Sequence, residues 1–411
     1  MTPDRIVPNA AWAAQLAGED ATDDPARTVR VTPAPATSER AALAWLAVAL
    51  AGVAVAGCTP QPSLRTDPAQ PEASADTAVA VFAFTTATEL SIVRGDVIVA
   101  TVHASAEPAH PVFTPTGRFA AATTADGDII TTGIHPNTTR TIPADALQVF
   151  SDHGDTITWW QSPNQLVSLD LSQPSAEPVA TPVDLPGGTP KGSRLVSLSA
   201  RTAVFARPGM PGEPEQLIRM DRKRNMRALA PSPEIANPIR VTVPSFNGGQ
   251  FAYTAPLRAA CPKDGVSVVD IGTGQTSSAP MPYAIDDRAT TQRVWWDFDG
   301  LLHMSVATRP CTSDAGSESV TSWKLEHNTW VRAEPDDVLV SRQLGGPTVA
   351  VVKPARLKPA AGALWLNTET ASTHIADDVT DLAAPGIPTI ADLADVLPHI
   401  LHPRDSEPSP G

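Results

Sequence analysis

The side chains able to do chemistry in this sequence are few and scattered. Asp126-Gly127-Asp128 sets two carboxylates on either side of one glycine, the way a calcium loop begins, but the further oxygen ligands such a loop requires do not follow, and the segment reads as a β-turn. Asp152 and His153 put an acid beside an imidazole, and Asp297 and Asp299 flank Phe298 before Gly300. A hydrolase or lyase would need several of these groups gathered in one pocket with displaced proton affinities. Histidines stand at His103, His110, His135, His153, His303, His327, His374, His399 and His402 with no local metal-ligand spacing, so no metal is expected. A Gly-rich phosphate loop, a nucleophile elbow and a His-Glu-x-x-His pair are all missing, and neither a catalytic residue nor a cofactor is assigned. Two tryptophan pairs remain, Trp159-Trp160 and Trp295-Trp296. Neighbours on a strand point to opposite faces, so each pair is expected to fill the spaces on both sides of its own sheet. The functional alternative is one ring reaching a rim to stack on a sugar or peptide.

The balance of the chain narrows its partners. Its 411 residues carry 44 acids against 30 bases, a formal charge of −14, which argues against nucleic acid or an anionic membrane surface as principal partner. Hydrophobic residues make up 42 %, enough for a core, while 42 prolines disfavour long helices. Three cysteines are too few for a disulfide-dense miniprotein.

Residues 41–57 read AALAWLAVALAGVAVAG, free of charged side chains. As a helix this stretch is roughly 25 Å long, at the short limit for a bilayer span and suited to a signal peptide. Arg27, Arg30 and Arg40 precede it and the next basic residue is Arg65, so the positive-inside rule leaves the N-terminus in the cytoplasm and the bulk outside. The stretch ends Val55-Ala56-Gly57-Cys58, and residues 40–58 resemble the lipobox of bacterial lipoproteins. That resemblance implies acylation of the Cys58 thiol, cleavage just before it and a lipid anchor of two or more chains. A single-pass membrane helix with a cytoplasmic N-terminus is the alternative. Residues 1–40 are Pro-rich and expected to be disordered; they are either a cytoplasmic tail or the product of a start assigned too early, with Val29 or Val31 as the true one. Residues 59–78, rich in Pro, Ala, Ser and Thr, form a semi-extended spacer.

From residue 79 the texture changes to short β-branched runs with turns between them. Four such runs fill residues 110–143, and the order repeats from Leu147, Arg194, Arg240, Gln292 and Val338. Turns near Gly117, Gly154, Ala200, Gly249, Gly300 and Gly346 are 37, 46, 49, 51 and 46 residues apart, the period of a propeller blade. Three further strands lie between Val79 and His103, one short of a blade, and a ring closes by sharing one blade between the chain ends. The expected fold is therefore an all-β, seven-bladed β-propeller over residues 79–395, with six or eight blades as alternatives, behind an N-terminal apolar helix. The missing strand is expected between Gly386 and Ala391, a region that also carries a capping box at Thr389 and a helical period reaching Leu401; residues 396–411 are a tail. Cys261 and Cys311 each follow the second strand of neighbouring units, so equivalent loops on adjacent blades are expected to bring them into a disulfide.

The phrase from Pro111 to Arg118 resembles the WD-repeat-like β-propellers of bacterial lipoproteins, although no Trp-Asp dipeptide ends a strand as that signature requires. Together these features lead to the expectation of a lipid-anchored, extracytoplasmic module of the cell envelope that binds a protein or glycan without transforming it. An extracytoplasmic hydrolase or lyase acting on a glycan or peptide is the alternative.

Overall fold

The computed structural model describes residues 79–386, except 136–137, 200, 211–212, 230–238, 258, 285, 313–317 and 357. Residues 1–40, the apolar segment with Cys58, the spacer, the helical period from Thr389 and the tail lie outside the described residues.

The described chain is built of strands and contains no helix. Blade 1 holds β1 (Val81–Thr85), β2 (Glu89–Arg94) and β3 (Val97–His103). Blade 2 is β4 (Pro108–Phe113), β5 (Phe119–Thr124), β6 (Ile129–Gly133) and β7 (Arg140–Ile142), and blade 3 is β8 (Val149–Phe150), β9 (Thr156–Gln161), β10 (Gln165–Asp170) and β11 (Val179–Pro182). Blade 4 is β12 (Arg194–Ser199), β13 (Thr202–Arg207), β14 (Gln216–Asp221) and β15 (Met226–Leu229). Blade 5 is β16 (Val241–Pro244), β17 (Gln250–Pro256), β18 (Asp264–Asp270) and β19 (Thr276–Ser278). Blade 6 is β20 (Asp287–Trp296), β21 (Leu302–Pro310), β22 (Ser319–Glu326) and β23 (Thr329–Arg332), and blade 7 is β24 (Val340–Gly345), β25 (Thr348–Ala355), β26 (Lys358–Asn367) and β27 (Ser372–Val379). The last strand, β28 (Asp381–Ala383), returns to blade 1.

Six sheets are four-stranded antiparallel meanders in chain order, and the seventh runs β28-β1-β2-β3. Seven blades thus close a ring whose first and last strands lie side by side. The tight turns between first and second strands use glycine where the backbone turns left-handed, as at Gly117 (φ 71°) and Gly300 (φ 77°).

The closing strand lies nearer the blades than the sequence reading placed it, at Asp381–Ala383 and not between Gly386 and Ala391. Packing sets this position. Leu382 opposes Phe84 in the register and is buried with Phe82, Val340 and Val352, while the Thr380 hydroxyl lies 3.0 Å from that of Thr85 and the Thr380 N–H donates to the Thr85 carbonyl at 2.8 Å. With the chain pinned there, Gly386 already lies beyond the pairing.

The core sits between blades. Phe119, Ile129 and Ile142 of blade 2 pack against Ile157, Trp159 and Val167 of blade 3. The next residue, Trp160, turns to the other face and meets Phe205 of blade 4 edge-on, with ring centroids 5.2 Å apart. Trp296 packs with Ala252 and Val266 of blade 5, and Trp295 with Leu339, Val340 and Val352 of blade 7. Each pair therefore fills both interblade spaces beside its sheet, as strand alternation requires.

Between blades 5 and 6 the link is covalent, because Cys261 and Cys311 form a disulfide with Cα atoms 6.0 Å apart. They are 50 residues apart in sequence, and chain-entropy reasoning gives such a loop about 4 kcal/mol of stabilisation. The Cys261→Ser, Cys311→Ser double variant is expected to lose about that amount in urea unfolding, with a larger m because the unfolded chain is no longer cross-linked. An unchanged midpoint would show that the bridge does not constrain the unfolded chain.

Candidate functional site

The innermost strand of each blade, β28 in blade 1 and the first strand in the others, lines the axis, and β4, β28, β24, β20 and β16 follow one another around it. Several of these strands are bulged where they pass the axis: β4 between Ala109 and Val112, β20 between Thr291 and Arg293, and β24 between Gln343 and Gly345. A bulge re-aims the side chains around it. At the first of them His110 adopts a left-handed φ of 52°, a conformation rare outside glycine that costs of order 1–3 kcal/mol.

Together with β16 and β28, the bulged strands line an axial cavity of about 130 Å³. Its walls are apolar at Val112, Val241, Val243 and Leu382, and polar at His110, Gln148, Arg293, Arg342 and Asp381. Gln148 bridges two blades that are not neighbours. Its amide donates to the Thr242 carbonyl at 3.0 Å and accepts from the Thr242 hydroxyl at 2.9 Å, linking the entrance of β8 to β16 past blade 4. Arg293 reaches past blade 7, donating from Nε to the Thr380 carbonyl at 2.7 Å with the Asp381 carboxylate 3.5 Å away. Among the described residues Arg342 has a single long hydrogen bond, 3.4 Å to the carbonyl of its own neighbour Ser341. No carboxylate among the described residues forms an ion pair with it.

Charge and burial act together here. Desolvation holds the His110 pKa below the usual imidazole value; Asp381 opposes this and Arg293 reinforces it. Desolvation also lowers the Arg342 pKa, against the pull of Asp381 and Asp297, and a guanidinium keeps its charge through such shifts. His303, stacked on Trp295 with centroids 5.4 Å apart, is lowered first by burial as well, Asp297 and Asp299 opposing and Lys324 and Arg342 adding to the shift.

Stability should therefore fall with acid. A histidine held neutral in the fold binds its proton more readily when unfolded, so its contribution is intact above the unfolded pKa near 6.5 and is lost as pH drops below it. The slope reaches at most about 1.4 kcal/mol per pH unit for each such histidine. His110→Asn, which tolerates the left-handed backbone, is expected to remove about half of this acid sensitivity and leave the part due to His303. Urea midpoints measured from about pH 7.5 to pH 5 decide it; a variant profile parallel to the native one would exclude His110 as a source.

The acids singled out in the sequence do not converge. Asp126 and Asp128 lie in the turn from the second to the third strand of blade 2, whereas Asp152-His153 and Asp297/Asp299 lie in turns from first to second strands of blades 3 and 6. Antiparallel connection puts these two kinds of turn at opposite ends of the blades, and none of these residues lines the cavity. Among the described residues Asp152 bonds only its neighbour, at 2.6 Å to His153 Nδ1, and the Asp297 and Asp299 side chains accept from backbone N–H groups of their own turn. The Pro111–Arg118 phrase has a structural role: Thr114, Thr116 and Arg118 all donate to the buried carboxylate of Asp155, tying blade 2 to blade 3.

His110, Arg293, Arg342 and Asp381 were not visible as a group in the sequence. The signal was positional, since Arg342 is the lone cation of β24 and Arg293 is the cation at the bulge of β20. A second feature also follows from repeat alignment. Phe246 and Phe298 occupy equivalent turns of blades 5 and 6 and stack with centroids 5.5 Å apart, Phe246 being 38 % exposed.

No protein-family model and no curated protein matches the chain. Solved structures similar to it include dihydro-heme d1 dehydrogenase NirN in complex with DHE, at 15 % identity over 78 % of each chain and a TM-score of 0.46. TolB from Acinetobacter baumannii is 12 % identical over 75 % of this chain and 66 % of its own, with a TM-score of 0.37. The Swd1 β-propeller domain of Myceliophteria thermophila is 12 % identical over 71 % of this chain and 96 % of its own, with a TM-score of 0.46. Likenesses of this degree carry nothing about ligand or reaction.

Proposed function

We propose that this propeller is a non-catalytic binding module of the cell envelope, anchored by lipid at Cys58, that holds a ligand in its axial cavity. The observation that carries the reading is the cavity itself, a chamber part apolar and part polar whose polar side chains come from five blades, three of them through bulged strands. Strain at His110, held in place by the surrounding ring, is of the kind that collects at ligand sites. Dispersal of the candidate acids over opposite ends of the blades favours binding over hydrolysis.

Two measurements test it. The mass of the mature N-terminal peptide after expression in a bacterial host is expected to show acylated Cys58; recovery of the intact 41–58 segment in that peptide overturns the anchor. Crosslinking in intact cells, followed by native mass spectrometry of the released protein, is expected to give a stoichiometric bound species that stays unchanged on incubation. Turnover of a purified envelope glycan or peptide by the protein overturns the non-catalytic reading.

A further inference from the structure

We propose that the axial cavity is an anion site for a small monocarboxylate with an apolar body, whose carboxylate is held by Arg342. The proposal rests on the binding reading above and adds the chemistry of the ligand.

The argument begins with a comparison of arginines. Arg194 is clasped by both oxygens of Glu215 at 2.8 Å, and Arg293 has Asp381 at 3.5 Å and the Thr380 carbonyl at 2.7 Å. Arg342 lines the cavity with five N–H donors, one long backbone bond and no carboxylate within 4 Å among the described residues. Arg342 is partly exposed where it lines the cavity, so its donors stand open to an incoming anion, which a guanidinium holds by charge-assisted hydrogen bonds. The lining holds two guanidiniums and one carboxylate, a net positive chamber in a chain whose formal charge is −14. Such an inversion of the overall sign focuses anions into the cavity.

Size and wall decide which anion. About 130 Å³ is close to the engineered cavity of roughly 150 Å³ that holds benzene, so the ligand body has about six heavy atoms. Val112, Val241, Val243 and Leu382 give that body an apolar wall. Inorganic phosphate needs donors on every side, which this wall does not provide; a planar carboxylate matches one guanidinium fork and leaves its other end for the apolar side.

The test is calorimetric titration of the full chain with benzoate and isovalerate, their neutral amides benzamide and isovaleramide, and inorganic phosphate. Each carboxylate is expected to bind at least about tenfold tighter than its amide, because a charge-assisted bond replaces a neutral one. Arg342→Gln is expected to lose about tenfold or more and Arg342→Lys to lose less, with unchanged circular dichroism. If Arg342→Gln does not fold, the carboxylate-to-amide ratio on the native chain decides alone. Amides binding as well as the acids, phosphate binding tighter than either acid, or no carboxylate binding at roughly 10 mM each overturns the site. A neutral species captured in cells would then leave the binding reading standing. Conversely, carboxylates that bind and also inhibit turnover of an envelope polymer would keep the anion site and remove the non-catalytic reading.

Discussion

Ending the chain after Val379 is expected to abolish the native transition. The cut removes β28 and with it the pairings Ala83 with Ala383, Phe84 with Leu382 and Thr85 with Asp381, the Thr380 bonds to Thr85, and the carbonyl that holds Arg293. It exposes the inner edge of β1, an unpaired strand carrying Phe82 and Phe84, which invites edge-to-edge aggregation. The milder Leu382→Ala leaves the pairing in place and creates a cavity among Phe82, Phe84, Val340 and Val352, for which about 2–5 kcal/mol is expected. Urea unfolding followed by tryptophan fluorescence and by size-exclusion chromatography measures both. A truncated chain that keeps the native midpoint would mean that the ring does not depend on its last strand.

Glu215→Ala is expected to cost about 3–5 kcal/mol, because it strands a largely buried guanidinium. Glu215 accepts from both Arg194 nitrogens at 2.8 Å and from the Ile239 N–H at 3.1 Å, while Arg194 donates to the Ile239 carbonyl at 2.9 Å. Blade 4 and the entrance to blade 5 meet on this one carboxylate. The double variant Arg194→Met, Glu215→Leu removes both charges and is expected to lose much less, as paired ions can be replaced by packing more easily than separated. A double-mutant cycle in urea reads the difference; a single variant no worse than the double would show that the pair is solvated and carries little.

The blades were legible because each is a local object. Runs such as Phe119–Thr124 and Ile129–Gly133 are β-branched or apolar, joined by a turn a few residues long, and a meander of four needs no information from elsewhere in the chain. The disulfide followed because Cys261 and Cys311 each come after the second strand of adjacent repeats. β28 was misplaced because Asp-Leu-Ala is too short to show alternation; its identity as a strand comes from Phe84 and Thr85, far back in the chain. The cavity residues were hidden for a related reason. His110, Arg293, Arg342 and Asp381 come from different blades, and only ring closure makes them neighbours. His110 also departs from strand geometry, and no pattern of side-chain types announces a bulge.

Ring closure also sets a clock. Thr85 and Thr380 are 295 residues apart, whereas the pairs that build each blade are local. Bringing such distant segments together costs about 5 kcal/mol of loop entropy on the (3/2)RT ln n scale, so closure comes after the meanders have formed. At roughly 5–20 residues per second of synthesis, β1 waits about 15–60 s for its partner to be made. Through that interval the growing chain is an arc of finished blades ending in an open edge, and holding factors and proteases have one site to act on. The window shuts when three residues, Asp381 to Ala383, arrive.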